Sequence, residues 1–365
     1  MLNDYSGSPN ILSLVIKGMI EKGYQAELYT SSTTEGFLSG IEGVVYHRVF
    51  YRFTRNKFST LILFTSVQLR YFFATLKYSG DENIVFYLNT ILPFGAALGA
   101  SLSRKEIIYH IHENPARKNI LHKLAISVFL KRTSKAIFVS DYLYNSYKLD
   151  SRKKFLVYNS LSPQFVEISE KHKTGFNQNG EILMLCSLKA YKGVRIFLEL
   201  ARELHNHNFT LVLNASLKDI HVFFKHDNIP SNLKLLNAMD NDVHYFYSRS
   251  HLVMNLSVPG LCYESFGLTI LESMAYGIPV IVPPAGGIAE LVQDGFNGYK
   301  VDPRDMNCLI ERINLIFSSM NNYLRMSENA RIASRKYSYP KMIDEIDGII
   351  QKQVDIKLRI GFKDI

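Results

Sequence analysis

Two carboxylates in one short segment offer the clearest chemistry in this sequence of 365 residues. Glu264 precedes a Phe-Gly turn, and Glu272 follows that turn. Gly267 permits a tight turn, and the first amide groups of a helix that starts there have no partner within it, so they suit a diphosphate. Glu272 would lie one turn into the helix predicted over Leu268–Tyr276, where a carboxylate can accept hydrogen bonds from both hydroxyls of a ribose. The segment therefore predicts a sugar-nucleotide site.

Further motifs follow in a fixed order. Gly286 and Gly287 come after a predicted strand and let a second backbone segment approach the site. In order, the chain contains E-S-F-G-L-T-I-L-E, M-A-Y-G-I-P-V-I, G-G-I-A-E-L-V and D-G-F-N-G. This series resembles the signature of the retaining GT-B glycosyltransferases of family 4, which are also called the group 1 transferases. The order of the motifs makes the resemblance specific.

The resemblance implies roles for these residues. In the family, the first Glu of the pattern lies by the donor sugar and the second holds the nucleotide ribose. Glu264 and Glu272 inherit those roles here; without the pattern, they would be interpreted as a loop carboxylate and a solvated residue of a helix face. The implied donor-binding residues are Ser187, Lys189, Lys192, Ser265, Phe266, Gly267, Leu268, Glu272, Gly286 and Gly287.

One donor motif departs from the family. The segment S-L-K-A-Y-K-G, residues 187–193, is similar to the family's R-L-x-x-x-K-G, in which Arg and Lys grip the diphosphate. Lys192 matches, whereas Ser187 replaces the bidentate guanidinium by a hydroxyl. The spacing permits Lys189 to supply the lost charge and does not decide whether it does.

The amino-terminal half holds weaker candidates. The turn N-D-Y-S-G-S-P sits where the family has a Gly-rich turn, which implies contact with the acceptor or the donor phosphates, although most such turns are only turns. The implied acceptor residues are Ser6, Gly7 and Ser8. The segment Y-H-I-H-E ends a predicted strand, and His112 lies nearer than His110 to the strand end, where open α/β sheets bind ligands. His112 resembles the catalytic-cleft histidine of the family and would hydrogen-bond the sugar or the acceptor; a structural histidine is the alternative.

Apolar strands alternate with amphipathic helices along the chain, which predicts parallel α/β layering. The resemblance makes this fold GT-B, with two Rossmann-like domains that face a central cleft. The predicted strands are 26–29, 84–88, 106–111, 136–139 and 155–158, then 182–186, 210–213, 234–236, 252–256 and 280–282. The predicted domains are an acceptor-binding domain over residues 1–165, a nucleotide-sugar domain over 166–338, and a helical tail over 339–365 that packs back on the first domain. Residues 159–180 are predicted to be a linker.

The family usually begins with an apolar strand before its Gly-rich turn. Here only Met1 and Leu2 precede Asn3. Such a strand is central in a doubly wound sheet and is buried on both faces. We therefore expect the first strand to be truncated and the reading frame to continue upstream; a sheet that tolerates a stub is the alternative.

Composition excludes several classes of protein. Cys186, Cys262 and Cys308 lie far apart, which argues against a disulfide framework or a zinc site. Residues 58–76 and 84–102 are the most apolar stretches, but polar or charged side chains interrupt the first, and the second contains a proline and reads as strand, turn and helix. The sequence thus predicts a cytoplasmic protein without a membrane span.

The net charge of +9 is concentrated in the first half of the chain. One basic cluster is interleaved with aromatic residues and comprises Arg48, Arg52, Arg55, Lys57, Arg70 and Lys77. A second comprises Arg117, Lys118, Lys123, Lys131, Arg132 and Lys135. Such clusters suit an anionic membrane surface or a pyrophosphate-linked lipid, and solvated helix faces with aromatics in the core are the equal alternative. No nucleic-acid recognition motif accompanies the charge.

An Asp-Asn-Asp triplet at 240–242 resembles the metal-binding Asp-x-Asp of another glycosyltransferase class. It follows a predicted strand and is better interpreted as a turn and helix cap. We expect no metal and no cofactor, with Lys192 and the helix start neutralising the leaving diphosphate.

The prediction is a retaining glycosyltransferase that moves a hexosyl unit from a nucleotide-diphosphate sugar to a hydroxyl of a glycan or lipid-linked acceptor. The family implies bacterial surface polysaccharide synthesis, peripheral to the inner face of the membrane. Donor base, sugar, acceptor and oligomeric state stay open. The alternatives are a non-catalytic GT-B subunit that binds a nucleotide sugar or a partner, and a sugar-nucleotide 2-epimerase.

Overall fold

The computed structural model describes residues 3–32, 35–51, 56–115, 120–172, 175–238 and 242–351. The chain divides into two compact units, residues 1–159 with 340–365, and residues 160–339. The division falls between 159 and 160 instead of between 165 and 166. The reason is a helix that starts at Pro163 and packs with the second unit, where Arg331 donates to the carbonyl of Ser169.

The first unit contains two parallel sheets among its described residues. Its strands are β1 Ala26–Ser31, β2 Val44–Val49, β3 Val85–Asn89, β4 Glu106–Ile111, β5 Lys135–Phe138 and β6 Lys154–Leu156. Its helices up to residue 159 are α1 Gly7–Glu21, α2 Lys57–Leu76, α3 Phe94–Leu102, α4 Ile120–Arg132 and α5 Asp141–Ser146. β1 pairs with β2, and β3, β4, β5 and β6 form the other sheet in that order. The strand, turn and helix predicted over 84–102 are confirmed as β3 and α3.

The described residues of the second unit form one parallel sheet. Its strands are β7 Glu181–Ser187, β8 Asn208–Asn214, β9 Leu233–Asn237, β10 Leu252–Met254, β11 Val280–Val282 and β12 Gly298–Lys300. Its helices are α6 Pro163–Glu170, α7 Val194–Glu203, α8 Leu217–Phe223, α9 Val243–Tyr247, α10 Leu268–Ala275, α11 Met306–Ile316 and α12 Met320–Ser334. The strand order is β12, β11, β10, β7, β8, β9, so the chain reverses its winding direction between β7 and β10. In open α/β sheets this switch point is where ligands bind, at the carboxyl ends of the strands.

The last described helix, α13 Tyr339–Gln351, belongs with the first unit. A Cβ on Gly18 of α1 would lie 2.5 Å from Cδ1 of Ile343, so the two helices meet at a position that only glycine fits. Lys22 at the end of α1 donates to Asp344 at 2.6 Å and also faces Asp347. The apolar residues of α1 are mostly buried, and Gly23 follows the helix with a φ of +90°.

Three predictions about elements were wrong. β2 and β12 were not predicted because one is a half-exposed edge strand and the other only a short Gly-containing edge strand. The predicted linker over 159–180 contains α6, whose signals are local: Ser162 accepts from the amide of Phe165, and Pro163 occupies the first turn. The segment was interpreted as a linker because most of its residues are polar, and the helix cap at Ser162 was missed for that reason.

No helix within the described ranges combines the length and apolarity that crossing a bilayer requires. Cys186, Cys262 and Cys308 are free thiols, as their spacing predicted. The second basic cluster is partly structural, because Lys135 is mostly buried and pairs with Glu106 at 2.9 Å. Arg117 and Lys118 of that cluster lie outside the described residues.

Candidate active site

The carboxylate of Glu264 lies at the switch point of the second unit, beside the ends of β7 and β10. Its Oε1 atom forms an ion pair with Lys192 and accepts hydrogen bonds from Ser257 Oγ at 2.8 Å and from Asn255 Nδ2 at 3.3 Å. Ser257 and Asn255 were not predicted from the sequence, although both lie in the segment just after β10. Three donors thus hold one carboxylate oxygen.

Both members of the ion pair are charged at neutral pH. Burial by itself would raise the pKa of Glu264, but Lys192 and the hydrogen bonds from Ser257 and Asn255 keep it below its ordinary value. Burial acts in the lowering direction on the pKa of Lys192, and the Glu264 carboxylate outweighs it and raises that pKa. The pair is a fixed dipole that can orient hydroxyl groups or phosphate oxygens.

Lys192 owes its position to the glycine after it. Gly193 has a φ of +75°, and a Cβ there would lie 2.3 Å from the carbonyl oxygen of Leu256. Only glycine permits this approach between the start of α7 and the end of β10. The turn of residues 190–192 thus lies directly against the segment after β10 that contains Asn255.

Gly267 begins α10 in a conformation that side chains rarely adopt. Its φ is +105°, and a Cβ would lie 2.6 Å from Cγ1 of Ile288. The amides of Ile270 and Leu271 both donate to the carbonyl of Gly267, which leaves those of Leu268 and Thr269 without an acceptor inside the helix. Amides in this position at a helix start are suited to binding an anion.

The Gly-Gly loop approaches Glu264 as predicted. The amide of Gly287 donates to the carbonyl of Glu264 at 2.8 Å. A Cβ on Gly286 would lie 2.9 Å from the same oxygen, and its φ is +95°. The loop after β11 is therefore fastened to the backbone that carries the carboxylate.

Glu272 projects from α10 and meets a tyrosine from α9. Tyr247 Oη donates to Glu272 Oε2 at 2.6 Å and also lies 3.2 Å from the carbonyl of Thr269. Burial raises the pKa of Glu272 to about 7, and the hydrogen bond from Tyr247 opposes that shift. Tyr247 is fully buried and was not predicted. Glu272 is a carboxylate whose charge changes near neutral pH.

In the segment 187–193, which departs from the family's donor motif, Ser187 and Lys189 lie apart from the hydrogen-bond network of Glu264. Ser187 is the last residue of β7, and its carbonyl accepts from the amide of Lys189 at 2.8 Å. Lys189 is exposed, and no ion pair involving it is found within the described residues. The structure brings Lys192, and not Lys189, to Glu264.

The first unit places His112 in a polar network just beyond β4. His112 Nε2 lies 2.9 Å from Asn89 Oδ1, and its backbone amide donates to Glu113. Burial lowers the pKa of His112 to about 3. His110 packs against His112 with ring centroids 4.3 Å apart and contacts Tyr87, so it serves the core.

The amino-terminal turn leads into α1. Ser6 is the residue before the helix, and its amide donates to Asp4 Oδ1 at 3.0 Å. Gly7 is exposed and begins α1. Ser8 is tied to β3, because its hydroxyl and carbonyl both accept from Asn89. Ser8 therefore belongs to the same network as His112.

The Asp-Asn-Asp triplet is only partly described. Asp242 caps α9 and accepts from the amide of His244 at 3.1 Å, which confirms the predicted cap. Asp240 and Asn241 lie outside the described residues. Across the ranges that the structure describes, no group of three or more His, Cys, Asp or Glu residues is arranged to hold a metal ion.

Comparisons with known proteins show which proteins this chain is similar to. Residues 167–333 match the family described as "Glycosyl transferases group 1". An uncharacterized glycosyltransferase of Methanocaldococcus jannaschii is 24% identical over 343 residues, which cover 88% of this chain and 93% of that protein.

Solved structures agree in fold. HepE of Anabaena, solved in complex with UDP and glucose, superposes with a TM-score of 0.74 at 20% identity and covers 96% of this chain and 98% of its own. WaaG, a glycosyltransferase involved in lipopolysaccharide biosynthesis, superposes with a TM-score of 0.68 at 15% identity. The match covers 96% of this chain and 97% of WaaG. Residues 167–333 are therefore similar to the group 1 glycosyltransferases, and the chain is a glycosyltransferase with a two-domain α/β fold of the GT-B type.

Proposed function

We propose that this enzyme transfers a hexosyl unit, with retention of configuration, from a nucleotide-diphosphate sugar to an acceptor hydroxyl. The observation that carries the proposal is the charged pair of Glu264 and Lys192 at the sheet's switch point, close to the Gly-Gly loop. Lys192 and the free amides that begin α10 would hold the diphosphate. Glu272 would bind the ribose, and Glu264 would orient the sugar. HepE, which shares the fold, was solved with UDP-glucose.

Retention is proposed to proceed on one face of the sugar. The bond from the anomeric carbon to the phosphate oxygen breaks, and the bond to the acceptor oxygen forms on the same face. The acceptor proton passes to an oxygen of the leaving phosphate. Glu264 is a poor candidate for a covalent nucleophile because Lys192, Ser257 and Asn255 lower the pKa of its carboxylate, and a less basic carboxylate is a weaker nucleophile. Lys192 offsets the charge that develops on the diphosphate, so the reaction needs no divalent metal.

The acceptor is proposed to be a lipid-linked glycan of bacterial surface polysaccharide synthesis, reached at the inner face of the cell membrane. One face of α2 is apolar and exposed, and α2 contains no acidic residue. The exposed apolar residues on it are Phe58, Leu61, Ile62, Leu69 and Phe73. Arg70 and Lys77 are exposed beside them, whereas Tyr51 and Tyr71 of the same cluster are buried. An apolar stripe with basic flanks suits an anionic bilayer surface.

A donor panel tests the transfer. Purified protein is mixed with UDP-, GDP- and dTDP-hexoses, and nucleotide release and calorimetric binding are measured. We expect one base to be bound and its hexose to be released slowly as free sugar. Proton NMR of the first product should show the anomeric configuration of the donor. Inverted product would contradict retention, and no binding across the panel would contradict the proposed function.

Vesicle sedimentation tests the membrane contact. Wild-type protein should bind vesicles that contain phosphatidylglycerol and not vesicles of phosphatidylcholine alone. Phe58→Ser combined with Phe73→Ser should abolish that binding, whereas Val222→Ser, which changes an exposed apolar residue of the second unit, should not. Equal binding by the double variant and the wild type would contradict the role of α2.

A further inference from the structure

The carboxylate of Glu264 has one oxygen engaged and one oxygen open. Oε1 pairs with Lys192 and accepts from Ser257 Oγ at 2.8 Å and from Asn255 Nδ2 at 3.3 Å. No partner of Oε2 is found among the described residues, and the Glu264 side chain is 21% exposed. In the described part of the chain, Lys192 is the only cation paired with this carboxylate. That network therefore offers one cation, whereas the proposed donor brings a second anion, its diphosphate.

The two neutral donors belong to a segment whose backbone is fixed. The amide of Asn255 donates to the carbonyl of Ile281 at 2.9 Å. The amide of Val258 donates to the carbonyl of Tyr191, also at 2.9 Å. Residues 255–258 are therefore fastened to β11 on one side and to the turn before α7 on the other.

The hydrogens of both neutral donors point to Glu264. The backbone amide of Ser257 can only donate, and it lies 3.0 Å from Asn255 Oδ1, so Asn255 Nδ2 faces the carboxylate. An ionised carboxylate can only accept, so the hydroxyl of Ser257 donates to it. Ser257 is fully buried and Asn255 nearly so. Both side chains thus stabilise negative charge on Glu264 from fixed positions.

Lys192 differs from these donors because it can move. Its ammonium group lies at the end of a flexible four-carbon stem and has three hydrogens to donate. A carboxylate in a partly buried site that loses its cation takes up a proton, unless hydrogen-bond donors favour its charged form. Burial raises the pKa of Glu264, and Lys192 together with the two neutral donors holds it below its ordinary value.

Two thiols interact electrostatically with this ion pair. Cys186 of β7 interacts with both Lys192 and Glu264, and burial raises the pKa of its thiol to about 12, so it is uncharged near neutral pH. Cys262 interacts with Lys192. A thiol carries no positive charge in any protonation state, so neither cysteine can take the place of Lys192 beside Glu264.

We propose that Ser257 and Asn255 are positioning residues that keep Glu264 ionised while Lys192 turns from it to the diphosphate of the bound donor. This inference rests on the proposed function and deepens it, because one lysine then serves two anions in succession. Glu264 enters the transfer step charged and in an unchanged orientation, although its cation has moved.

Carbon NMR of ligand-free protein labelled with ¹³C-glutamate tests whether the neutral donors hold the charge. Lys192→Met removes the cation, as its departure would, and Glu264→Gln identifies the carboxyl resonance by its loss. We expect Glu264 to remain ionised at pH 7 in Lys192→Met. Addition of Ser257→Ala should raise the midpoint of its titration by about one to two pH units. Equal midpoints with and without the Ser257 hydroxyl, or a protonated Glu264 at pH 7 in Lys192→Met, would overturn the proposal.

The contribution of Asn255 is measured in the same way. Asn255→Ala in the Lys192→Met background should raise the midpoint by less than Ser257→Ala does, since its contact of 3.3 Å is the longer one. An unshifted midpoint would contradict the role of Asn255.

Two further variants separate the role of the hydroxyl from folding. Ser250→Ala changes a buried serine of the same unit, whose hydroxyl donates to the carbonyl of Phe246 at 2.8 Å, and should leave the titration of Glu264 unchanged. Ser257→Cys fills a similar space with a weaker donor, so it should raise the midpoint in part. If Ser257→Ala does not fold, Ser257→Cys makes the comparison, and an unshifted midpoint there would overturn the proposal. A shift in Ser250→Ala as large as that in Ser257→Ala would also contradict it.

The movement of Lys192 is tested with the nucleoside diphosphate of the base that binds in the donor panel. Calorimetry in two buffers of different ionisation enthalpy counts the protons taken up on binding. Near pH 6.5, Ser257→Ala should take up more protons than the wild type, and Ser257→Ala combined with Glu264→Gln should lose the excess. Equal uptake by Ser257→Ala and the wild type would overturn the movement.

Steady-state rates supply a second readout. In Ser257→Ala the acid limb of kcat should move up by about one to two pH units, while KM for the donor stays within about twofold of the wild-type value. A raised KM with an unmoved acid limb would contradict the proposal. If no nucleoside diphosphate binds, the proposed function and the movement of Lys192 both fail, and the titrations of ligand-free protein still decide whether Ser257 and Asn255 hold the charge.

Discussion

The two units hold their candidate residues by different physical means. In the second unit, Glu264 and Lys192 are opposite charges that stabilise one another, and glycines bring the surrounding backbone close. In the first unit, His112 is neutral and is held by a chain of neutral hydrogen bonds to Asn89 and Ser8. The charged network is suited to binding a diphosphate, and the neutral one is suited to orienting a hydroxyl. The comparison predicts large losses for changes in the second unit and small ones in the first.

Removal of Lys192 should have the largest effect. Lys192→Ala takes away the charge that faces the leaving diphosphate and leaves the Glu264 carboxylate without its ion pair. We expect kcat/KM to fall by about 10²–10³. Initial rates with the donor found in the panel measure this. Lys225→Ala, an exposed lysine of the same unit, is the control. A loss of less than about fivefold would show that the diphosphate is held elsewhere.

The two carboxylates should separate binding from turnover. Glu272→Ala removes an acceptor of two ribose hydroxyls, each worth about 1.5–3 kcal/mol, so nucleotide affinity should fall about 100-fold or more. Glu264→Ala should chiefly lower kcat, because its contacts to the sugar strengthen in the transition state. Calorimetry and initial rates on both variants decide the matter. An unchanged dissociation constant in Glu272→Ala would contradict the proposal that Glu272 binds the ribose.

The pH dependence of nucleotide binding should follow Glu272. Because its pKa is raised to about 7, the carboxylate becomes protonated and loses acceptor capacity as the pH falls through that value, so affinity decreases toward acid. Tyr247→Phe removes a hydrogen bond that lowers this pKa. We expect the midpoint to move up by about one unit, with a roughly fivefold loss of affinity near pH 7 that is recovered at higher pH.

Titrations by calorimetry between pH 5.5 and 9 measure that midpoint. Tyr245→Phe changes an exposed tyrosine of the same helix and serves as the matched control. A Tyr247→Phe variant with the wild-type midpoint would show that another group governs the profile.

Substitution of a candidate residue in the first unit should lower kcat/KM less than the substitutions in the second unit. His112→Gln removes one neutral hydrogen bond, so kcat/KM should fall about 2–10-fold. The midpoint of the pH profile should not move, since the pKa of His112, at about 3, lies below the measured window. A shifted midpoint would mean that His112 carries charge during the reaction, and the contrast between the units would not hold.

Chelation should have the smallest effect. If Lys192 and the start of α10 neutralise the diphosphate, turnover in EDTA should equal turnover without it. Rates measured with and without added Mn²⁺ or Mg²⁺ after chelation test this. A loss of turnover that either ion restores would show that the reaction needs a metal, and Asp240 and Asp242 would be its candidate ligands.

The sequence predicted those parts of the candidate site that are set by neighbouring residues. The turn at Gly267, the approach of Gly287 and the cap at Asp242 each depend on a few adjacent residues. Asn89 and Tyr247 could not be found in this way, because their partners lie on other strands or helices. Asn255 and Ser257 were within reach, since the end of β10 was predicted and the ends of such strands hold ligand-binding groups.

The helices and strands were also predicted where the signal lies in neighbouring residues. Well-buried strands such as β4 and β8 were predicted from their apolar spacing. β2 and β12 were missed because short edge strands bury too little surface to show a pattern.

The packing of α13 on α1 has a consequence for how the protein is made. Met342, Ile343 and Ile346 are buried in a unit whose other residues are synthesised first. The second unit is continuous in sequence, so it can complete its folding while that earlier segment still lacks its final helix. On the ribosome, the part of α1 around Gly18 that α13 covers must therefore stay exposed until α13 emerges. This reverses the usual order in which domains finish folding during translation.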